Sequence, residues 1–192
     1  MSSAATPKVA LISGHTDLTE KEFNQIYIPL LGKALEEGHH FILGDAQGVD
    51  TLALAYLQQE PLKAKFPDVN QRITIFASRK HNVSKLESLG VKVLAPDDSI
   101  LIASASKPEV KELIGIENSG RDAARYRHLV RDTLMTMNSD YDILFVRSEG
   151  ESRVLYGDRW RPRVSATEMN QRRRLKLRSR SSHVGDVHIN NS

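Results

Sequence analysis

His40-Phe41-Ile42-Leu43-Gly44-Asp45-Ala46-Gln47-Gly48-Val49-Asp50-Thr51 reads as a short apolar strand, a turn of small residues and the start of a helix. Strand, turn and helix N-terminus in that order leave several backbone N–H groups unpaired at the positive end of a helix dipole, where an anion is favoured. Gly44 and Gly48 let the main chain turn sharply and approach a ligand, while Asp50, in the first helical turn, caps free N–H groups or accepts from a sugar hydroxyl. Two readings of the stretch stand: a cradle for a nucleotide-like ligand, or an ordinary strand-to-helix turn with a capping Asp.

The same alternation extends outward on both sides. Upstream, Lys8 to Ile12 is an apolar strand ended by Ser13-Gly14-His15. Thr19 with Glu22 is a capping-box pattern that opens a helix whose apolar face is Phe23, Ile26, Tyr27, Leu30, Leu31, Ala34 and Leu35, with Gly38 closing it. Pro29 inside that helix predicts a kink or a division in two. Downstream, Val49, Leu52, Ala53, Tyr56 and Leu57 share a helical face that Pro61 is expected to end or bend. Arg72 to Ala77 is a third strand, Asn82 to Gly90 holds a short helix, and Val91 to Leu94 is a fourth strand. Ala95 to Gly120 has little periodicity, and a loop of that length is functional or mobile. Ala123, Tyr126, Val130, Thr133, Leu134 and Met137 then mark a clear helix, and Tyr141 to Val146 is the fifth strand.

Strands alternating with amphipathic helices imply a three-layer α/β fold around a mostly parallel sheet of about five strands. Ligands of such sheets bind beyond the carboxyl ends of the strands. That rule gathers Ser13, Gly14 and His15, then Gly44 to Asp50, then Ser78 and Arg79, then Arg147 and Ser148, along one rim.

At 192 residues with 40% hydrophobic content, one cored domain is expected over residues 8–177, between a polar leader at 1–7 and a disordered basic and polar tail at 178–192. The absence of cysteine excludes disulfides, thiolate metal sites and thiol nucleophiles. Of the seven histidines, the six besides His15 are scattered without metal-ligand spacing, so neither metal nor cofactor is expected. No apolar run reaches the length of a membrane span and Met1 to Pro7 is not a signal peptide, so a cytoplasmic protein with no membrane partner is expected. The net charge is only +3, but Arg172, Arg173, Arg174, Lys176, Arg178 and Arg180 crowd the C-terminal end, an excess that reads as an appendage in which Gln171 to Arg180 continues a basic helix and then frays. Such a run binds nucleic acid nonspecifically, acts as a localisation signal, or has no role, and the sequence does not separate these. Between Glu149 and Arg163, Tyr156 and Trp160 alternate with Arg153, Arg159, Arg161 and Arg163, a mixture that suits base stacking, single-stranded nucleic acid or a dimer contact. Its position after a strand end favours a lid or dimer element completing the pocket, and a homodimer is expected.

The first strand ending Ile12-Ser13-Gly14-His15, the Gly-x-x-x-Gly-x-Asp turn from Gly44 to Asp50, and the helix start Arg121-Asp122-Ala123-Ala124 together resemble the SLOG superfamily of Rossmann-like nucleotide-binding domains, and within it the small stand-alone proteins of the YspA/YpsA-like branch. The resemblance spans about Lys8 to Leu177, with the second motif the distinctive one. It implies a Rossmann-like fold and a nucleotide, nucleotide-sugar or ADP-ribose-like ligand, either sensed or cleaved. The cleaving branch, the LOG-type phosphoribohydrolases, hydrolyses the N-glycosidic bond of nucleoside 5'-monophosphates. That branch carries Pro-Gly-Gly-x-Gly-Thr-x-x-Glu, whose nearest counterpart here, Arg161-Pro162-Arg163-Val164-Ser165-Ala166-Thr167-Glu168-Met169-Asn170, lacks the glycines.

Cleavage needs a carboxylate near the anomeric carbon, for which Asp50 and Glu168 are the candidates. Phosphate is assigned to Gly44, Asp45, Gln47 and Gly48 with Arg121 and either Arg125 or Arg147, while Ser165 and Thr167 offer hydroxyls at a helix N-terminus. Ser165 with Glu168 is equally a plain capping box, and Arg121 with Asp122 equally a surface ion pair. His15 is an acid, a phosphate donor or simply the polar end of its strand.

Overall fold

Five short apolar runs pair as one all-parallel sheet in the computed structural model, which describes residues 6–95, 99–114, 123–162 and 164–185. The strands are β1 (Val9–Ser13), β2 (His40–Leu43), β3 (Ile73–Phe76), β4 (Lys92–Leu94) and β5 (Tyr141–Leu144), in the spatial order β4-β3-β2-β1-β5. Parallel pairing demands a crossover between strands, and each crossover is helical. In chain order these helices are α1 (Glu20–Glu36), α2 (Val49–Leu57), α3 (Glu60–Lys65), α4 (Val83–Glu87), α5 (Ser99–Ala105), α6 (Pro108–Ile114) and α7 (Ala123–Met137), and after β5 come α8 (Glu149–Tyr156) and α9 (Ala166–Gly185).

Alternate residues of β1 serve opposite faces, as the strand period of two requires. Ala10 and Ile12 enter one core with Tyr27, Leu31, Leu35, Val49 and Leu57, whereas Leu11 enters another with Ile42, Phe76, Val110, Val130 and Leu134. The result is a three-layer α/β Rossmann-like fold. Because β2, β3 and β4 extend the sheet to one side of β1 and β5 lies on the other, the strand order reverses at β1. Such reversal points are where open α/β sheets leave a crevice beyond the carboxyl ends.

Several local expectations change. Pro29 does not divide α1, which runs continuously from Glu20 to Glu36 behind the Thr19–Glu22 capping box. Pro29 and Gln25 both lie on the exposed face, so the carbonyl that loses its donor meets water, while the buried stripe of Phe23, Tyr27, Leu31 and Leu35 holds the helix in place. Pro61 neither ends nor bends α2, which stops at Leu57, but instead occupies the first turn of α3, where a missing N–H costs nothing. The unpatterned stretch after β4 holds α5 and α6, and the segment after β5 opens with a second capping box, Ser148–Glu151, at the head of α8.

The largest difference concerns the C-terminal end. The basic run is not an appendage: α9 packs against α7 and β5 and continues to Gly185, eight residues past the expected domain boundary. Arg173 and Arg174 are buried, with Thr167 and Asn170 on the same helical stripe, while Leu175 faces outward at 59% exposure. Arg174 forms an ion pair with Asp142 of β5 at 2.9 Å and donates to the Ser139 carbonyl and hydroxyl. On the outer side, Arg172 pairs with Glu168, and Lys176 and Arg180 both pair with Glu112. Much of the charge that suggested a nucleic-acid partner is therefore engaged within the fold.

Candidate functional site

β1 and β5 end side by side, Ser13 opposite Leu144. Tyr27 of α1 fills the space between them: its hydroxyl donates to the Ser13 carbonyl at 2.9 Å and accepts from the Phe145 N–H at 3.0 Å. Burial pushes its pKa up to about 12, so it stays protonated and able to donate. On the other face, the Ser13 hydroxyl accepts from Asn170 Nδ2 at 2.9 Å.

The turns after β1 and β2 interlock. A Cβ at Gly14 would lie 2.5 Å from the Tyr27 hydroxyl and collide with Val49, and a Cβ at Gly48 would lie 2.6 Å from Thr16 Cα. Gly48 also adopts φ +79°, a left-handed conformation that side chains rarely take. Gly44 is closed off in the same way, since a Cβ there would stand 2.5 Å from Asp50 Oδ2. These glycines make room for other parts of the chain.

The carboxylates of this turn point inward as well. Asp45 accepts from the Ser78 N–H at 2.9 Å, from Asn82 Nδ2 at 3.1 Å and from Arg131 at 3.2 Å, tying the ends of β2 and β3 to α7. Burial alone would raise its pKa, but these donors hold it below its ordinary value. Asp50 accepts from the Ala46 N–H at 3.1 Å, bracing the turn rather than capping α2, whose N-cap Gly48 has no side chain to offer. Burial pushes the Asp50 carboxyl up to about 7, with the Ala46 N–H and Arg131 opposing and Asp132 and Asp45 adding to the shift. Gln47 is exposed at the tip of the turn.

Around the end of β5 the arrangement is more open. The Arg147 guanidinium is buried and binds Asp17 at 2.6 Å and Glu22 at 3.4 Å, so this cation is engaged by the loop before α1 and by α1 itself. Asp17 also accepts from the Tyr156 hydroxyl at 2.6 Å, which fastens the end of α8 to the β1–α1 loop. Burial would raise the Asp17 pKa, but Tyr156 and Arg147 keep it below its ordinary value. His15 Nε2 accepts the Arg147 backbone N–H at 3.3 Å. Burial, and then the Arg147 cation, lower the His15 pKa against the pull of Asp17 and Glu22. The ring is therefore neutral at pH 7, with its hydrogen on Nδ1.

His15 lines a cleft of about 190 Å³ with Tyr156, Arg159, Trp160, Arg161 and Ser165. Here are the aromatics and arginines of the segment after β5, with Arg153 stacked on the Trp160 ring at 4.4 Å. Arg161 is turned to the carbonyls of Asp158 and Trp160, whereas Arg159 is exposed. Ser165 caps α9 by accepting the Glu168 N–H at 3.1 Å, and the Glu168 carboxylate goes to Arg172 at 2.6 Å, so the capping role is the one realised. Thr167 is buried against the fold, and Arg121 and Asp122 lie outside the described residues. A larger groove, about 650 Å³, opens at the opposite edge of the sheet beside Lys8, Lys33, His39 and Tyr141, away from the carboxyl ends.

Of the expected rim residues, the structure brings His15 and Ser165 to the cleft, while Gly14, Gly44, Asp45, Gly48, Asp50 and Arg147 are engaged with other parts of the chain. Sequence reading missed Asp17, Tyr27 and Arg131. Tyr27 looked like one more apolar position of α1, and nothing local distinguishes the one hydroxyl on that stripe. Among the described residues no cluster of His, Asp and Glu can hold a metal, and no helix is long and apolar enough to cross a membrane. No family model, curated protein or solved structure matches the chain.

Proposed function

We propose that this protein is a SLOG-like binding domain that takes a nucleotide, nucleotide sugar or ADP-ribose-like ligand at the carboxyl ends of its strands. The observation that carries this reading is the cleft beside His15, where Trp160, Tyr156, Arg159 and Arg161 meet at the point of strand reversal. An aromatic face suits a base, a guanidinium suits a phosphate, and the Nδ1–H of His15 suits a hydroxyl or phosphate oxygen. At about 190 Å³ the cleft accommodates one ring system, so the remainder of a dinucleotide-sized ligand extends along the open rim toward Gln47.

The test is a thermal-shift and chromatographic panel of nucleoside monophosphates, NAD and ADP-ribose on wild type, Trp160→Ala and Arg159→Ala. At least one ligand raises the wild-type melting temperature, and either substitution weakens that ligand roughly tenfold, the loss of about 1.4 kcal/mol expected for a stacking or charged contact. Ligand affinities unchanged in both variants would remove the cleft from consideration.

A second reading, hydrolysis of nucleoside 5'-monophosphates to base and ribose 5-phosphate, draws on Asp50. Burial pushes this carboxyl up to about 7, within range of proton exchange at neutral pH, but it is turned inward against Ala46 and would have to be released to the rim to meet a substrate. Free base appearing in the same panel, and disappearing in Asp50→Asn, favours this reading over sensing.

A further inference from the structure

Trp160 is the one tryptophan of the chain, and one face of its ring is already taken. The guanidinium carbon of Arg153 lies over the indole, 4.4 Å from the ring centroid. That guanidinium is held in turn by Glu149, one turn earlier on α8, whose Oε1 accepts from its Nε at 2.9 Å and from its Nη2 at 2.6 Å. Trp160 itself lies beyond the end of α8, outside any helix or strand, and Arg153 gives its ring a support that regular structure does not. The cleft wall includes Trp160 but not Arg153, so a ring that stacks on the indole has only the opposite face to use.

A cation over one face of an aromatic ring draws the π electrons toward itself. The opposite face still stacks with a neutral ring, but it is a poor seat for a second cation, which would stand within a Debye length of the first. Glu149 compensates part of the Arg153 charge through an exposed pair, and the guanidinium remains the group in contact with the indole. The rest of the cleft carries the same sign. Arg159 and Arg161 line it, and among the described residues no Asp or Glu lines it and Arg159 has no ion pair.

We propose that the cleft takes an anionic ligand whose ring is uncharged, such as the neutral base of a nucleotide, and rejects one whose ring is cationic, such as oxidised nicotinamide or a methylated purine cation. Arg153 is the positioning residue of that selection: it supports the indole from behind and sets the charge there, without touching the ligand. The inference rests on the nucleotide reading of this cleft and narrows it. Of a dinucleotide that carries both kinds of ring, the neutral one enters and the cationic one stays outside.

Because Trp160 is the sole tryptophan, its fluorescence reports on the cleft directly. The experiment titrates the full chain, at constant ionic strength, with two matched pairs, AMP against 1-methyl-AMP and GMP against 7-methyl-GMP, in which the methylated base is cationic; the uncharged N6-methyl-AMP controls for the added methyl group. Wild type is quenched saturably by the neutral members, which bind about fivefold more tightly than their cationic partners, the ratio expected for about 1 kcal/mol of lost cation–π attraction and added repulsion. Arg153 is 61% exposed, so its substitution leaves the melting temperature unchanged. Arg153→Gln opens the indole to acrylamide and narrows the ratio about twofold or more, whereas Arg153→Lys, which keeps a cation there, retains it. Quenching by both members of a pair at equal affinity, or a ratio unchanged in Arg153→Gln, overturns the inference and leaves the nucleotide reading standing. If no probe quenches Trp160, the nucleotide reading of this cleft falls and the inference with it.

Discussion

The turn after β2 and the segment after β5 flank the same edge of the sheet, yet the first is closed on itself and the second is open. From Gly44 to Asp50, the glycines admit Asp50 and the Thr16 backbone, and the two carboxylates bind Ala46, Ser78, Asn82 and Arg131. From Glu149 to Ser165, α8 buries no residue, Val154 is 87% exposed, and the aromatic and cationic groups line a cleft. A glycine-rich strand-to-helix turn thus serves two purposes that look alike in one dimension: letting a ligand come close, or letting another part of the chain do so. What separates them is the polar inventory, because groups already satisfied within the fold must be released before they can hold anything else.

Three measurements test that contrast. The largest effect is expected at Gly48, where Gly48→Val combines a left-handed backbone position with collision against Thr16. A loss of about 3–5 kcal/mol in urea unfolding is expected, and a loss below about 1 kcal/mol would mean that the turn is not closed.

Next is Asp50. Its folded pKa of about 7 lies above the ordinary 3.8, so the folded chain keeps a proton that the unfolded chain has released, and this carboxyl lowers stability progressively as pH rises from about 4 to 7. Asp50→Asn retains an acceptor for the Ala46 N–H and removes the titration. The variant should therefore gain on wild type by on the order of 1–3 kcal/mol between pH 4 and 7.5. Parallel stability curves would show that Asp50 is well solvated and the turn open.

The smallest effect is expected on α8: Val154→Ser changes unfolding free energy by less than about 0.5 kcal/mol. If Val154 lies in the homodimer contact expected from the sequence, the same substitution shifts sedimentation from dimer to monomer. A stability loss of several kcal/mol would mean that the segment is not an open flank.

Where apolar spacing governs an element, it was legible in the sequence. The strands from Val9, His40, Ile73, Lys92 and Tyr141 are mainly apolar or β-branched runs, and Thr19–Glu22 announces the start of α1. α5 and α6 escaped because two seven-residue helices joined by a short turn never repeat a pattern long enough to show its period. α9 misled for a more physical reason. Its inward stripe is Thr167, Asn170, Arg173 and Arg174 and its outward side carries Leu175, so hydropathy read as amphipathicity turns the helix inside out. The helical spacing of those polar residues was the available signal, but it identifies a buried face only once Asp142 and Ser139 are known to stand opposite. At the site, the strand ends could be assigned to one rim, whereas the inward turn of Asp45 and Arg147 depends on partners 86 and 130 residues away.

β1 is an interior strand of the sheet, next to the edge strand β5, and it precedes the other four in the chain, so that β5 is separated from it by nearly the whole domain. During synthesis the side of β1 that receives Tyr141 to Leu144 stays bare while β2, β3 and β4 assemble on the other, and the Tyr27 hydroxyl waits equally long for the Phe145 N–H. A ribosome-bound chain that has not reached residue 144 therefore carries an unprotected apolar edge, the kind that recruits a stray strand. The final pairing closes that edge and, with it, builds the β1–β5 crevice, so the hazard of misassembly ends at the moment the candidate pocket comes into being.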